Sequence, residues 1–175
     1  LYPDSDVPIV EPENIGDADT LGEKEQRTLE IVRAAIQNGE RALIYTSWVR
    51  TDSQQKLKKL LADEGYRTEI LTDKIKTTDR EDWVQKKLAA GMQVLIVNPS
   101  LVETGLDLNA FTTLVFYSMG YKLFTLRQAS RRSWRINQRA PAVKVYMLYY
   151  EDTMQQKCLK LMASKLAVAG LIEGN

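Results

Sequence analysis

Apolar and polar residues along the chain alternate in two ways, and each predicts a type of secondary structure. Apolar residues at every third or fourth position predict helices, as at Leu29, Val32, Ala35 and Ile36, a stripe that stops at Gly39. Short apolar runs predict strands, and these runs are residues 41–47, 67–71, 93–97, 113–117 and 142–149. Two of them, 93–97 and 113–117, are continuous, which is typical of strands buried on both faces of a parallel sheet. Strands that alternate with helices predict an α/β sandwich with a mostly parallel central sheet.

Turn residues and polar caps bound the predicted helices. Asp52 can cap a helix that ends at Gly65. The segment Thr78–Glu81 has the spacing of a capping box, which predicts a helix that begins there and ends at Gly91. A closing amphipathic helix is predicted over residues 152–169.

Composition predicts one folded domain preceded by a linker. Residues 1–22 carry three prolines and many acids without sustained periodicity. We therefore expect an extended acidic arm or linker there, and a single domain over residues 23–175. The 175 residues are 44% apolar, which is enough for one core. Because the chain begins with Leu1 rather than Met, we expect it to be a piece of a longer polypeptide.

The numbers of cysteine and histidine residues exclude several kinds of site. Cys158 is the single cysteine and the chain has no histidine, which excludes an intrachain disulfide, a Cys/His zinc site and a Ser-His-Asp triad. Because one unpaired cysteine is typical of a reducing compartment, we expect a cytoplasmic protein. No apolar run approaches the roughly 18 residues of a membrane span. We therefore expect no metal site and no membrane partner.

Charge is distributed unevenly, although the net charge is only +1. Residues 108–150 contain seven Lys and Arg but no Asp or Glu. In a helix, Gln128, Arg132, Arg135 and Arg139 share one face, where like charges repel by roughly a few tenths of a kcal/mol per pair. Such a face suits an anion with several oxygens, because the guanidinium fork matches phosphate. A basic face that contacts only solvent is the alternative interpretation.

Three loops follow predicted strands, at the edge of the sheet where α/β proteins bind ligands. They are residues 47–52, residues 98–108 and the segment after Tyr117. In the second loop, Gly105 would let the backbone approach a ligand closely. The Asp107 carboxylate could accept hydrogen bonds from sugar hydroxyls or hold an arginine, and an Asx turn is the alternative. Trp48 could stack on a base, with packing as the alternative.

Two elements of a complete nucleotide-hydrolysing site are missing from the sequence. None of the nine glycines is followed by Lys, so there is no phosphate-binding loop of the Gly-x-x-x-x-Gly-Lys-[Ser/Thr] type. No Asp-Glu pair that could hold Mg²⁺ ends a predicted strand. The chain could therefore complete a nucleotide site, but we expect it to be inactive by itself.

Three segments resemble motifs of superfamily II helicases and translocases. Residues 128–138, Gln-Ala-Ser-Arg-Arg-Ser-Trp-Arg-Ile-Asn-Gln, resemble motif VI, Gln-x-x-x-Arg-x-x-Arg, in a version close to that of Swi/Snf-type translocases. Residues 94–108 are similar to motif V and residues 42–47 to motif IV. The resemblance covers about residues 23–168 and is to the second RecA-like lobe, the helicase C-terminal domain. It implies a three-layer RecA-like sandwich.

The resemblance also implies roles for individual residues. Arg132 and Arg135 would be arginine fingers that reach the γ-phosphate of ATP, and Gln128 would orient them or the attacking water. Gly105 and Asp107 would lie at the nucleotide, where Asp107 would touch the ribose or a finger. The residues near the nucleic-acid backbone would be Ser47, Trp48, Ser100 and Thr104.

Partners follow from the same resemblance. An N-terminal RecA-like lobe of the same polypeptide would hold most of the ATP and Mg²⁺, and the nucleic acid would be DNA in preference to RNA. Asn137 stands where the Swi/Snf-type motif has Gly, and Tyr121-Lys-Leu where that group has Trp-Asn-Pro. Because of such departures from the group, we expect a bacterial or phage protein in preference to a nuclear one. The alternative is a stand-alone α/β module that binds nucleic acid without motor activity. A nucleotide-sugar enzyme lobe ranks last, because the basic stretch supplies no catalytic base.

Overall fold

The secondary structure comes from a computed structural model that describes residues 21–46, 53–102, 106–118, 142–153, 156–157 and 159–161. The helices of this part are α1 (Glu23–Gln37), α2 (Ser53–Asp63) and α3 (Arg80–Ala89). Its strands are β1 (Ala42–Tyr45), β2 (Thr68–Leu71), β3 (Val94–Val97), β4 (Thr113–Phe116) and β5 (Lys144–Met147). Short 3₁₀ turns, Thr77–Asp79 and Pro99–Val102, precede α3 and follow β3.

The five described strands form one parallel sheet in the order β2-β3-β1-β4-β5. Ala42 of β1 lies in register with Val94 on one side and Thr113 on the other. The predicted parallel sheet is therefore confirmed. Because all these strands run in one direction, their carboxyl ends meet at one edge of the sheet, hereafter the carboxyl edge.

Helices and loops cover both faces of the sheet, which gives three layers. Ala42 and Ile44 of β1 pack in a cluster with residues of α1 and α2. Leu43 and Tyr45 point to the opposite face and pack with Val84 of α3 and with the loop that follows β3. Strands β1, β3 and β4 are buried along their whole length, as the continuous apolar runs at β3 and β4 predict for those two strands. The predicted three-layer α/β sandwich is the observed architecture.

Glycines end the described helices as predicted. Gly39, after α1, has a φ of 73°, and Gly65, after α2, has a φ of 84°. Residues with a Cβ adopt this left-handed backbone at a cost, so glycine is the favoured residue at both ends. None of the helices in the described ranges is both long and apolar enough to cross a membrane.

The capping box predicted at the start of α3 is wrong. A 3₁₀ turn precedes the helix, and the N-cap residue is Asp79, whose backbone is helical (φ −99°, ψ −7°) and whose side chain makes no capping hydrogen bond. The Thr78 hydroxyl donates instead to Asp79 Oδ1 at 2.7 Å. Glu81 is used elsewhere, because its carboxylate accepts the backbone N–H of Asp107.

Glu40 ties the turn after α1 to two strands. Its carboxylate accepts hydrogen bonds from the Lys144 ammonium and from the Thr113 hydroxyl, both at 2.6 Å. These two hydrogen bonds hold the pKa of Glu40 below its usual value. Lys144 belongs to stretch 108–150, which contains no Asp or Glu. The charge of Lys144 is therefore offset by Glu40, an acid that is distant in sequence.

Candidate functional site

Two of the nine predicted site residues, Ser100 and Asp107, belong to the described part of the chain. Both lie in loop 98–108, which leaves β3 at the carboxyl edge, as the sequence predicted. The other predicted contacts lie outside the described residues: Ser47, Trp48, Thr104, Gly105, Gln128, Arg132 and Arg135. The geometry of the site is therefore built from loop 98–108 and its neighbours.

Asn98 fixes the first half of this loop. Its Oδ1 accepts the backbone N–H of Ser100 at 3.0 Å and the Ser100 hydroxyl at 2.9 Å. Pro99 and Val102 of the following 3₁₀ turn are buried, whereas Ser100 is exposed. The buried residues anchor the turn, and Ser100 is presented to solvent at the carboxyl edge.

Asp107 shapes the second half of the loop. Its Oδ1 accepts the backbone N–H of Asn109 at 3.0 Å, which is the Asx turn considered as the alternative role of this residue. Its own backbone N–H donates to Glu81 Oε2 at 2.8 Å. The side chain is half-buried. The Asx turn employs one carboxylate oxygen, so the turn and a ligand contact through the second oxygen are chemically compatible.

Arg80 is a site neighbour that the sequence analysis missed. It is buried at the first position of α3, where its Nε donates to the Ile75 carbonyl at 3.2 Å and its Nη1 to the Leu101 carbonyl at 3.0 Å. A cation at a helix N-terminus is opposed by the helix dipole. That mismatch is a sequence signal which could have indicated a specific role for this arginine.

The beginning of α1 also lies at the carboxyl edge. Tyr117, directly after β4, donates its hydroxyl to Glu25 Oε1 at 2.7 Å. Lys24 is buried, donates to the Tyr117 carbonyl at 3.4 Å and lies 4.7 Å from the ring centre of Tyr150. Burial lowers the pKa of Lys24. Burial, and then the hydrogen bond to the Glu25 carboxylate, raise the pKa of Tyr117 well above its ordinary value.

The raised pKa of Tyr117 predicts a loss of stability at alkaline pH. The fold favours the neutral phenol, so its contribution is complete below the ordinary tyrosine pKa of about 10 and is lost as the pH rises further. We expect Tyr117→Phe to lower the free energy of unfolding near neutral pH by about 1–3 kcal/mol and to weaken its alkaline decline. Urea denaturation at several pH values measures both effects. The control is Tyr149→Phe at an exposed tyrosine, and identical alkaline slopes for all three proteins would contradict the assignment.

No metal site is found among the residues that the structure describes. Within those ranges, no three His, Cys, Asp or Glu side chains come together as ligands.

Comparisons with known proteins match this architecture. The C-terminal part of the Fun30 ATPase domain superposes with a TM-score of 0.71 at 18% identity, covering 79% of this chain and 44% of that one. The helicase domain of Pyrococcus furiosus Hef superposes with a TM-score of 0.61 at 18% identity, covering 80% of this chain and 28% of that one. These similarities confirm the RecA-like α/β fold of helicase C-terminal domains.

Sequence comparison agrees with the fold. An uncharacterized ATP-dependent helicase of Mycoplasma pneumoniae is 22% identical over 143 residues, which cover 81% of this chain. The match spans 14% of the length of that relative. The family model of the helicase conserved C-terminal domain matches residues 23–137. This range is more than half of the chain and includes loop 98–108. With its parallel sheet and that loop at the carboxyl edge, the chain belongs to the helicase conserved C-terminal domain family.

Proposed function

We propose that this chain is the C-terminal motor lobe of an ATP-dependent nucleic-acid helicase or translocase. The observation that carries the proposal is the family match over residues 23–137, a range that covers residues 94–108 and residues 128–137, which resemble motifs V and VI. The position of loop 98–108 at the carboxyl edge supports it, since ligands of open α/β sheets bind there. The proposed domain occupies residues 23–175, and residues 1–22 are proposed as its linker.

In this proposal the lobe completes an ATPase site and does not hold the triphosphate alone. A preceding RecA-like lobe binds ATP together with Mg²⁺, since this sequence lacks the phosphate-binding loop. Arg132 and Arg135 stabilise the charge that develops on the transferred phosphoryl group, and Gln128 orients the fingers or the attacking water. Asp107 and Gly105 contact the nucleotide from loop 98–108.

The proposed nucleic-acid contacts are Ser47, Trp48, Ser100 and Thr104, with DNA as the proposed substrate. Of these, Ser100 is described by the structure and lies at the same edge of the sheet. Ser100 is exposed but donates its hydroxyl proton to Asn98. A contact in which Ser100 donates to a phosphate oxygen therefore requires its hydroxyl to exchange partners. Closure of the two lobes on ATP would convert such contacts into movement along the strand.

The similarity in fold to the Fun30 ATPase domain supports the Swi/Snf-type group as the nearest subfamily. Asn137 departs from that group, which has Gly at this position, and for this reason we propose a bacterial or phage protein over a nuclear one.

ATP hydrolysis by the intact polypeptide, with and without DNA, tests the function. We expect DNA-stimulated turnover of the intact polypeptide and no turnover by the 175-residue chain. The competing stand-alone module, favoured by the acid-free basic stretch, predicts a different result. That module would bind DNA with a steep salt dependence and be unaffected by ATP, and no hydrolysis would occur in any form of the protein. The second result would overturn the motor proposal.

A further inference from the structure

Two neighbouring residues at the start of α3 hold opposite ends of loop 98–108. Arg80 donates to the Leu101 carbonyl at 3.0 Å, beside the exposed Ser100. Glu81 accepts the backbone N–H of Asp107 at 2.8 Å. One turn of helix therefore contacts both the end of the loop proposed for nucleic acid and the end proposed for nucleotide.

In both contacts a charged side chain forms a hydrogen bond with a main-chain group. The Arg80 guanidinium is buried, and its second hydrogen bond, to the Ile75 carbonyl, fixes its direction. The Glu81 carboxylate also accepts from Gln85 Nε2 at 3.2 Å, one helical turn further along α3. Hydrogen bonds with an ionised partner are stronger than neutral ones, so these contacts restrain the loop more firmly than neutral ones would.

The described parts of the loop, residues 98–102 and 106–108, are also anchored by apolar packing. Val102, Leu106 and Leu108 are buried in the same apolar cluster as Val84 of α3. Packed interiors of this kind transmit a displacement of one element to its neighbour. Arg80 and Glu81 at the start of α3 therefore connect Leu101 with Asp107.

We propose that Arg80 and Glu81 form a clamp on loop 98–108 that couples its nucleic-acid end to its nucleotide end. Both are positioning residues, since they act through the loop and need not touch either ligand. The clamp itself follows from the geometry, whereas its effect on ATP turnover rests on the proposed function.

Glu81→Ala, compared with Asp82→Ala, tests the clamp itself. Both substitutions remove a carboxylate from the first turn of α3, so their effects on the helix dipole match. Asp82 is exposed, and only the Glu81 variant releases the Asp107 N–H. In hydrogen exchange of the intact polypeptide, we expect the Asp107 amide to exchange about tenfold faster or more in Glu81→Ala. We expect Asp82→Ala to match the wild type, and equal exchange in all three proteins would overturn the clamp.

ATP hydrolysis by the same variants tests the coupling. We expect Glu81→Ala to lower kcat at saturating DNA by about 10–100-fold, because a loop displaced by about 1 Å misplaces its contacts. DNA affinity without ATP should change less than about twofold, since the variant keeps the bond of Ser100 to Asn98 and that of Arg80 to the neighbouring Leu101 carbonyl. Glu81→Gln keeps an oxygen acceptor for the Asp107 N–H and should restore most of the turnover.

Different outcomes separate the clamp from the proposed function. Unchanged kcat in Glu81→Ala, together with faster exchange at Asp107, would overturn the coupling and leave the clamp as a structural element. If the wild type shows no DNA-stimulated hydrolysis, the proposed function fails and the coupling with it. In that case the hydrogen-exchange measurement still tests whether Glu81 holds the Asp107 amide.

Discussion

Replacing Arg132 or Arg135 by Ala in the intact polypeptide is expected to lower the rate of ATP turnover by about 10³–10⁵-fold, with nucleic-acid binding largely retained. An arginine finger acts on charge that develops in the transition state, so its removal lowers kcat and changes ground-state binding little. Steady-state ATP hydrolysis with saturating DNA, together with a DNA-binding titration, measures both quantities. Arg135→Lys should recover only part of the rate, because the ammonium lacks the planar donor fork.

Arg131→Ala provides the matched control. It removes one positive charge from the same basic stretch but occupies an x position of the Gln-x-x-x-Arg-x-x-Arg pattern. We expect it to weaken DNA binding modestly at low salt and to leave kcat within a few-fold of the wild type. Near-normal turnover in Arg132→Ala or Arg135→Ala, or an equal loss in Arg131→Ala, would contradict the finger assignment.

The largest expected effect on stability is that of Phe111→Ala. Phe111 has no solvent exposure, packs in the cluster beneath loop 98–108 and donates its backbone N–H to the Leu108 carbonyl at 3.0 Å. Truncation of a buried phenyl ring leaves a cavity and typically costs about 3–5 kcal/mol. Because domains of this size are stable by only about 5–15 kcal/mol in total, the variant would lose a large fraction of its stability. Urea denaturation measures the change in the free energy of unfolding.

Phe111→Leu and Tyr149→Ala are the controls for this substitution. Leucine fills much of the phenyl volume, so Phe111→Leu should cost less than Phe111→Ala. Tyr149 is an exposed aromatic residue whose truncation should change stability by less than about 1 kcal/mol. An unfolding free energy of Phe111→Ala within about 1 kcal/mol of the wild type would show that the cluster tolerates the cavity, contrary to our account.

The strands were predictable because burial on both faces leaves a direct record in the sequence. Residues 94–97 and 113–116 are continuous apolar runs, or nearly so, and both are strands with no exposed position. Predicted strands were longer than the observed ones, as at 41–47 against Ala42–Tyr45. Arg41 is exposed and contacts the Met92 carbonyl through its side chain. Apolar pattern alone does not reveal where strand pairing ends.

The position of loop 98–108 was predictable, but the contacts that support it were not. The rule for open α/β sheets correctly placed loop 98–108 at the carboxyl edge. The contacts of Arg80 and Glu81 with that loop join residues 21 and 26 positions apart. A local pattern cannot show such pairs, and the capping-box spacing offered a competing local role for Glu81. The same limit applies to Lys144 and Glu40, which are 104 positions apart.

The central claim is that this lobe completes an ATPase site through Arg132 and Arg135. The affinity for a transition-state mimic tests this claim most directly. ADP with fluoroaluminate imitates the phosphoryl group in transfer, whereas ADP alone imitates a ground state. For the intact polypeptide with DNA, we predict that Arg132→Ala weakens binding of ADP–fluoroaluminate by about 10²-fold or more and leaves the Kd for ADP nearly unchanged. Equal affinity of the wild type and the variant for ADP–fluoroaluminate would contradict the claim.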